Sequence, residues 1–169
     1  MKPNFKTKIL DPSVCKREID MIRCTSISRC TEFPLIITAN GSFEILHPGH
    51  INFLKSAAMA AGDNTSLFVV SVNSDAYIRD TKSRKVWMSQ EDRMLLISEI
   101  EFVDFVVPQN RRDASLIIEI IQPNIHCVSS EYKDNIAEMN IIDSVNAELK
   151  IIDRFENYSS SEIIKLIRS

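Results

Sequence analysis

From Pro34 onward, short apolar runs rich in β-branched residues alternate with longer segments whose apolar residues recur at helical spacing. The short runs have apolar residues at positions of both parities, so they predict strands that are buried on both faces. They span residues 34–39, 67–72, 103–108, 124–129 and 149–153. The predicted helices span residues 48–61, 89–101, 113–122, 136–148 and 161–169. This alternation predicts an α/β fold, namely a doubly wound, parallel five-stranded sheet with helices on both faces.

The loops at one edge of such a sheet are the places to look for function. Ligands of doubly wound sheets bind outside the carboxyl ends of the strands, near the point where the strand order reverses. The segments that follow the predicted strands are residues 39–50, 71–79, 108–112, 129–132 and 154–161.

The chain has 169 residues, enough for one domain with a substantial core but few for two. Residues 34–169 carry the alternating pattern and are predicted to form that domain. Residues 1–33 lack it, apart from a helix predicted to begin near Asp11 and Pro12. We expect residues 1–33 to be an N-terminal extension packed on the domain.

Charge and hydropathy argue against several classes of protein. The net charge is −3, so no global field attracts nucleic acid. No apolar run reaches membrane-spanning length, and charges interrupt the first twenty residues where a signal peptide would be apolar. We therefore expect a cytoplasmic protein that binds neither nucleic acid nor membrane. The four cysteines show no Cys-x-x-Cys spacing and are expected to be free thiols. The pairs Arg84–Lys85 and Arg111–Arg112 are expected to be solvated surface.

An unusual cluster of glycine and histidine follows the first predicted strand. The whole chain has three glycines and three histidines, and two of each lie between residues 41 and 50. His47 and His50 are three residues apart at the start of a helix, which places both rings beside its first turn. Free N–H groups and the positive end of the helix dipole lie there, so the segment predicts an anion site, and phosphate fits best.

Two other interpretations of the histidine pair stay open at this point. The pair could bind a metal, although no third ligand has matching spacing. It could also be structural, capping the helix and packing against it. The third histidine, His126, lies on a predicted strand and is expected to be a core or edge residue.

The segment Gly41–His50 resembles the G-x-F-D-x-x-H-x-G-H motif of the nucleotidyltransferase superfamily. Three further segments occur in the family's order: VNSD at 72–75, EDR at 91–93 and YSSSEII at 158–164. The resemblance covers residues 35–168. It is greatest to the adenylyltransferase domain of ADP-heptose synthesis enzymes, followed by glycerol-3-phosphate cytidylyltransferases. It implies a Rossmann-like fold of the cytidylyltransferase-like type.

The resemblance also implies a reaction and a set of residues. Members transfer a nucleotidyl group from an NTP to a phosphorylated substrate and release pyrophosphate, so we expect an NTP, with ATP favoured over CTP, and a sugar phosphate such as heptose 1-phosphate. Mg²⁺ and a homodimer are further expectations. The implied catalytic residues are His47, His50 and Lys82. The implied nucleotide-binding residues are Asn40, Gly41, Ser42, Phe43, Gly49, Arg93, Ser129, Ser159, Ser160 and Ser161. The implied substrate-binding residues are Glu44, Asn73, Asp75 and Arg79.

Simpler roles remain open for several of these residues. Lys82 could be a solvated lysine, and Arg93 could form an ion pair with Glu91 or Asp92 on its own helix. Ser159 could form a capping box with Glu162.

Four positions depart from the family pattern. Glu44 replaces an aspartate, Thr81-Lys82-Ser83 lacks a glycine, and the closing segment has serines where threonines are usual. The family's K-G-G-D-Y segment is here Val128–Tyr132, without the lysine and both glycines. A binding module without turnover is therefore the main alternative to an active transferase, with a glycerol-phosphate cytidylyltransferase also open. Related adenylylating enzymes match the remaining segments less well.

Overall fold

The computed structural model describes residues 7–28, 33–82, 85–153 and 163 of the chain. The strands are β1 (Leu35–Gly41), β2 (Ser66–Asn73), β3 (Phe105–Gln109), β4 (Ile125–Ser129) and β5 (Glu148–Ile152). The α-helices are α1 (Pro12–Ser28), α2 (Pro48–Ala58), α3 (Asp75–Lys82), α4 (Gln90–Ser98), α5 (Ser115–Ile121) and α6 (Met139–Ser144). Short 3₁₀ turns lie at Met59–Ala61 and Ser130–Tyr132.

The strands form one five-stranded sheet in the order β3-β2-β1-β4-β5, and every pairing is parallel. This confirms the predicted α/β doubly wound sheet. The chain starts in the centre with β1, moves outward to β3 and then returns to the other side of β1 with β4. The strand order therefore reverses between β1 and β4, and the carboxyl ends of these two strands border the crevice in which such folds bind ligands.

Two apolar layers cover the sheet because successive residues of a buried strand face opposite sides. On one side Ile37 packs in a cluster with residues of α2 and α4, including Leu54 and Ile97. On the other side Ile36 packs with Cys15 and Ile19 of α1 and with apolar residues of α5. A smaller cluster joins α5 to α6 on this second side. Helices thus cover both faces, as the sequence predicts.

The described part of the N-terminal segment contacts the sheet directly. Ile9 forms an isolated parallel bridge with Val106 of β3, with backbone hydrogen bonds at 2.9 Å on either side of it. Cys15 and Ile19 are fully buried. Placing a domain boundary at residue 33 remains a prediction.

The helices differ from the sequence prediction more than the strands do. Helix α3 was not predicted. Among residues 75–81, whose burial the structure describes, Ile78 alone is buried, so no apolar period marks the helix. It begins where the Ser74 side chain accepts a hydrogen bond from the Tyr77 amide. The predicted helix 136–148 is shorter, at Met139–Ser144. Of the predicted helix 161–169, only residue 163 is described, and it is helical. No helix in the described ranges is long and apolar enough to cross a membrane.

Candidate active site

The turn between β1 and α2 is held in place by the packing of Phe43. Its φ is +47°, in the left-handed region that non-glycine residues seldom adopt, and its ring is buried. A Cβ added at Gly41 would lie 2.6 Å from the ring atom Cζ of Phe43, which is far inside contact distance. Glycine is therefore needed at position 41 because the Phe43 ring occupies the space of a side chain.

The two histidines of the motif are stacked at the start of α2. His47 is the N-cap residue, and its Nδ1 accepts a hydrogen bond from the His50 amide at 3.4 Å. The two imidazole centroids are 3.8 Å apart with an interplanar angle of 19°. The Phe43 ring meets His50 edge-on at 5.3 Å. Because Nδ1 of His47 accepts, Nε2 carries the proton of the neutral ring and is a donor.

A cavity of about 630 Å³ lies at the carboxyl ends of β1 and β4, where the strand order reverses. Its volume is typical of a small-molecule site, roughly 300–1,000 Å³. The predicted site residues that line it are Asn40, Gly41, Ser42, Phe43, Glu44, His47, Gly49, His50, Asn73 and Ser129. The structure thus brings the histidine turn, the end of β2 and the end of β4 around one space.

The turn's polar side chains are tied to the neighbouring strand and loop. The Ser71 hydroxyl donates to Oδ1 of Asn40 at 3.1 Å, and Nδ2 of Asn73 donates to the Ser42 hydroxyl at 3.3 Å. Oε1 of Glu44, which is buried, accepts from the Trp87 amide at 3.1 Å. These bonds fix the position of residues 40–44 before any ligand arrives.

Arg93 is placed differently from the prediction that it contacts nucleotide. Its side chain is fully buried and does not line the cavity. The guanidinium donates to the Ser42 carbonyl at 2.6 Å, to the Met88 carbonyl at 3.1 Å and to the Asp75 carboxylate at 2.6 Å. Asp75 pairs with Arg93 and is not among the cavity-lining residues, and its predicted contact with substrate stays a prediction. Arg93 therefore supports the turn from behind, because its hydrogen bond to Ser42 fixes the backbone that faces the cavity.

The remaining predicted residues do not come together in the described structure. Arg79 is exposed on α3 and is not among the cavity-lining residues. The side chain of Lys82 and the whole of Ser159, Ser160 and Ser161 lie outside the described residues. Their predicted roles stay predictions.

Several cavity residues were not predicted. Tyr77 lies on α3, Arg112 lies in the loop before α5, and Glu138 directly precedes α6. The rule that ligands bind at the carboxyl ends of strands pointed to segments 71–79 and 108–112. It could not single out Tyr77 or Arg112 within these segments. Arg112 was expected to be solvated surface.

His126 also lines the cavity, from β4. Its ring is buried, as predicted for a core residue, and Nδ1 lies 2.8 Å from the Thr38 hydroxyl. Burial lowers the pKa of His126 to about 4, so the imidazole is neutral at physiological pH. It contributes a neutral, polar surface to the floor of the cavity.

The donor set does not form a metal site by itself. Within the described ranges, no three His, Cys, Asp or Glu side chains cluster closely enough to hold a metal ion. Mg²⁺ commonly binds through one or two carboxylates together with substrate phosphates and water. The described residues therefore fit Mg²⁺ only as an ion that arrives with a nucleotide's phosphates.

Two curated proteins illustrate what this chain is similar to. The "Bifunctional protein HldE" of Wolinella succinogenes is 36% identical over 134 residues, which is 79% of this chain and 27% of that protein. The same-named protein of Helicobacter pylori is 33% identical over 135 residues, with the same shares of the two chains. This chain thus spans about a quarter of the length of these curated relatives.

Among solved structures, a lipopolysaccharide core biosynthesis protein from Thermoplasma volcanium superposes with a TM-score of 0.57 and 26% identity. The match covers 73% of this chain and 98% of that one. The sequence model of the cytidylyltransferase-like family matches residues 38–166, which include the histidine turn and the end of every strand. The chain therefore belongs to the cytidylyltransferase-like family of nucleotidyltransferases.

Proposed function

We propose that this protein transfers a nucleotidyl group, AMP in preference to CMP, from an NTP to the phosphate of a sugar phosphate and releases pyrophosphate. The observation that carries the proposal is the stacked pair of His47 and His50 at the start of α2, facing the cavity where the strand order reverses. The likeness to ADP-heptose adenylyltransferase domains supports ATP and a heptose 1-phosphate. A cytoplasmic homodimer completes the proposal.

The reaction needs little proton transfer. An oxygen of the acceptor's phosphate attacks the α-phosphorus, and the bond to the β-phosphate's bridging oxygen breaks as pyrophosphate leaves. The attacking oxygen is already ionised at neutral pH, so no general base is required. The protein must align the two phosphates and stabilise the charge that builds on their oxygens.

The described residues can supply both effects. The Nε2–H of His47 and the His50 ring would donate to phosphate oxygens, and the first amides of α2 add their dipole. Backbone groups of Ser42 and Phe43, fixed by Arg93 and by the left-handed Phe43, would hold the α-phosphate. Lys82 and Ser159–Ser161 are proposed to contact the remaining phosphates, as the family resemblance implies. Mg²⁺ bound to the nucleotide would neutralise phosphate charge.

Loss of the family glycines after β4 is the argument for a binding module without turnover. Ser129 has φ −68° and ψ 143°, an extended conformation open to any residue, and no residue of 128–132 has a positive φ. The backbone here therefore does not require glycine. The conformation of this segment therefore gives no argument for the degenerate module.

Pyrophosphate release tests the proposal. ATP and CTP would each be combined with Mg²⁺ and with heptose 1-phosphate or glycerol 3-phosphate, for the wild type, His47→Ala and His50→Ala. We expect release with ATP and heptose 1-phosphate and a loss of at least about a hundredfold in each variant. Calorimetry would measure Mg-ATP binding in parallel, and light scattering the oligomeric state.

Nucleotide binding without release for any pair would favour the binding module. Release that prefers CTP and glycerol 3-phosphate would favour the cytidylyltransferase. Undiminished release in both His47→Ala and His50→Ala would refute the mechanism.

A further inference from the structure

One wall of the cavity has side chains that the mechanism above does not use. Tyr77, Arg112 and Glu138 line this wall, which lies by the starts of α5 and α6. These helices cover the face of the sheet opposite to α2, which carries the histidine pair. We call these three residues the distal wall. A ligand whose phosphate meets the histidines would therefore extend toward the distal wall.

The distal-wall residues lie within electrostatic reach of one another. Burial raises the pKa of Tyr77 and the Glu138 carboxylate raises it further, while the Arg112 guanidinium acts in the opposite direction. The Tyr77 hydroxyl therefore keeps its proton at neutral pH and can both donate and accept. Glu138 is fixed in place because its Oε1 accepts from the Ala114 amide at 3.0 Å.

Most of the hydrogen-bonding capacity of the distal wall is unused. Within the described ranges, the bond from Ala114 to Glu138 is the only hydrogen bond made by the side chains of Tyr77, Arg112 and Glu138. A hydroxyl, a guanidinium and a carboxylate oxygen thus face the cavity together. Such a set offers strong donors and strong acceptors in one place, as alcohol groups require.

The charge of this wall selects among ligands. Asp113 also lines the cavity here, so two carboxylates accompany one guanidinium. A second anionic group on the ligand would meet net negative charge, whereas hydroxyl groups can donate to the carboxylates and accept from Arg112 and Tyr77. His126, buried and neutral, adds no charge to the floor.

We infer that the distal wall binds the uncharged, polyhydroxylated body of the acceptor and that Tyr77, Arg112 and Glu138 determine acceptor specificity. This inference rests on the proposed transferase function, because that function supplies a phosphorylated acceptor whose phosphate meets the histidines. The acceptor class is a phosphate monoester with several hydroxyl groups and no second acid group.

Binding of three phosphate monoesters tests the inference without turnover. Calorimetry would compare methyl phosphate, glycerol 3-phosphate and heptose 1-phosphate, which carry increasing numbers of hydroxyl groups. We expect the affinity of the wild type to rise along this series. In Glu138→Gln and Tyr77→Phe, heptose 1-phosphate should bind roughly tenfold to a hundredfold more weakly, with methyl phosphate unchanged. The glutamine keeps an oxygen that can accept from Ala114, so the start of α5 is preserved.

Arg111 and Arg112 provide a matched pair of variants. Both are exposed, but only Arg112 is among the cavity-lining residues. Arg112→Ala should weaken heptose 1-phosphate binding, and Arg111→Ala should not. Mg-ATP affinity should stay at the wild-type value in the Tyr77, Arg112 and Glu138 variants.

Three results would overturn the inference. The first is equal affinity of the wild type for all three monoesters, or no binding of any. The second is unchanged heptose 1-phosphate binding in the distal-wall variants. The third is weakened Mg-ATP binding instead, which would place the nucleotide at this wall. Absence of pyrophosphate release, with the hydroxyl-dependent binding intact, would refute the transferase function alone.

Discussion

At the scale of single residues, the histidine turn depends on the close approach of the Phe43 ring to Gly41, two residues earlier in the chain. The ring of Phe43 fills the space next to Gly41 and supports the edge of His50. His50, whose ring can donate a hydrogen bond to a phosphate, is thus positioned by Gly41 and Phe43, which carry no polar side-chain atom. Changing the support should therefore lower the rate of catalysis, although no ligand contact is removed.

We predict that Gly41→Ala lowers kcat by about tenfold or more and the free energy of unfolding by about 1–3 kcal/mol. The new methyl group would lie 2.6 Å from Cζ of Phe43, so the ring must move and His50 loses its neighbour. Pyrophosphate release and urea unfolding measure the two effects.

Gly62→Ala is the matched control for this prediction. Gly62 has φ +63° with nothing within 4 Å of an added Cβ, so alanine there is strained without a steric clash. It should cost stability but leave turnover intact. Normal activity in Gly41→Ala would show that the position of the Phe43 ring is unimportant.

The lowered pKa of His126 predicts how the free energy of unfolding depends on pH. Its pKa is about 4 in the folded protein and 6.5 in the unfolded chain, so between these values the unfolded chain binds a proton that the native ring does not. The stability contributed by the neutral ring is therefore fully present above pH 6.5 and is lost as the pH falls toward 4. The loss should be on the order of 3 kcal/mol.

Urea unfolding of the wild type and His126→Gln between pH 7 and pH 4.5 would measure this effect. Glutamine does not titrate in this range, and the carboxylates contribute equally to both proteins. The wild type should lose more stability than the variant on acidification. Parallel stability curves would mean that the native protein accommodates the imidazolium.

At the scale of secondary structure elements, the strands were predicted well and the helices less well. Buried strands such as β2 are predominantly apolar on both faces, and this pattern arises directly from burial on both faces. Helix α3 has no such pattern because, of its residues 75–81, Ile78 alone is buried. It forms where the chain leaves β2 and is capped by Ser74, so local capping rather than hydrophobic periodicity determines it.

Helix α1 lies outside the alternating pattern, yet it contributes to the core. We predict that Ile19→Ala lowers the free energy of unfolding by about 2–4 kcal/mol because the side chain is fully buried against the sheet. Met21→Ala, on the same helix but 53% exposed, should change it by less than about 0.5 kcal/mol. Chemical unfolding of both variants measures the difference. Equal effects would show that α1 is not docked in solution.

At the scale of the whole molecule, the cavity depends on contacts between elements that are distant in sequence. Arg93 of α4 joins the β1–α2 turn, helix α3 and the loop before α4. The sequence identified Arg93 as important through its family segment, but it could not reveal that the side chain is buried behind the turn. Tyr77 and Glu138 were missed because only the folded chain brings them to one wall.

We predict that Arg93→Lys destabilises the protein by about 2–4 kcal/mol, because one ammonium cannot satisfy the acceptors on Ser42, Met88 and Asp75 together. Mg-ATP should also bind more weakly at a temperature where the variant is fully folded, since the turn loses its support. Thermal unfolding and calorimetry measure these effects.

Arg111→Lys makes the same chemical change at an exposed position and should alter neither quantity. An Arg93→Lys protein that is less stable but binds Mg-ATP normally would limit Arg93 to a role in stability.

The central position of β1 has a consequence for the order in which the chain folds. Leu35 pairs with Ser66 of β2, which follows closely in the chain, whereas Ile37 pairs with Ile125 of β4 far downstream. Closing the longer loop costs more entropy and slows folding. The half containing β1, β2 and β3 can therefore assemble first, and β4 joins it later together with its neighbour β5. Because the cavity lies between β1 and β4, a refolding chain should regain nucleotide binding only in its slowest phase.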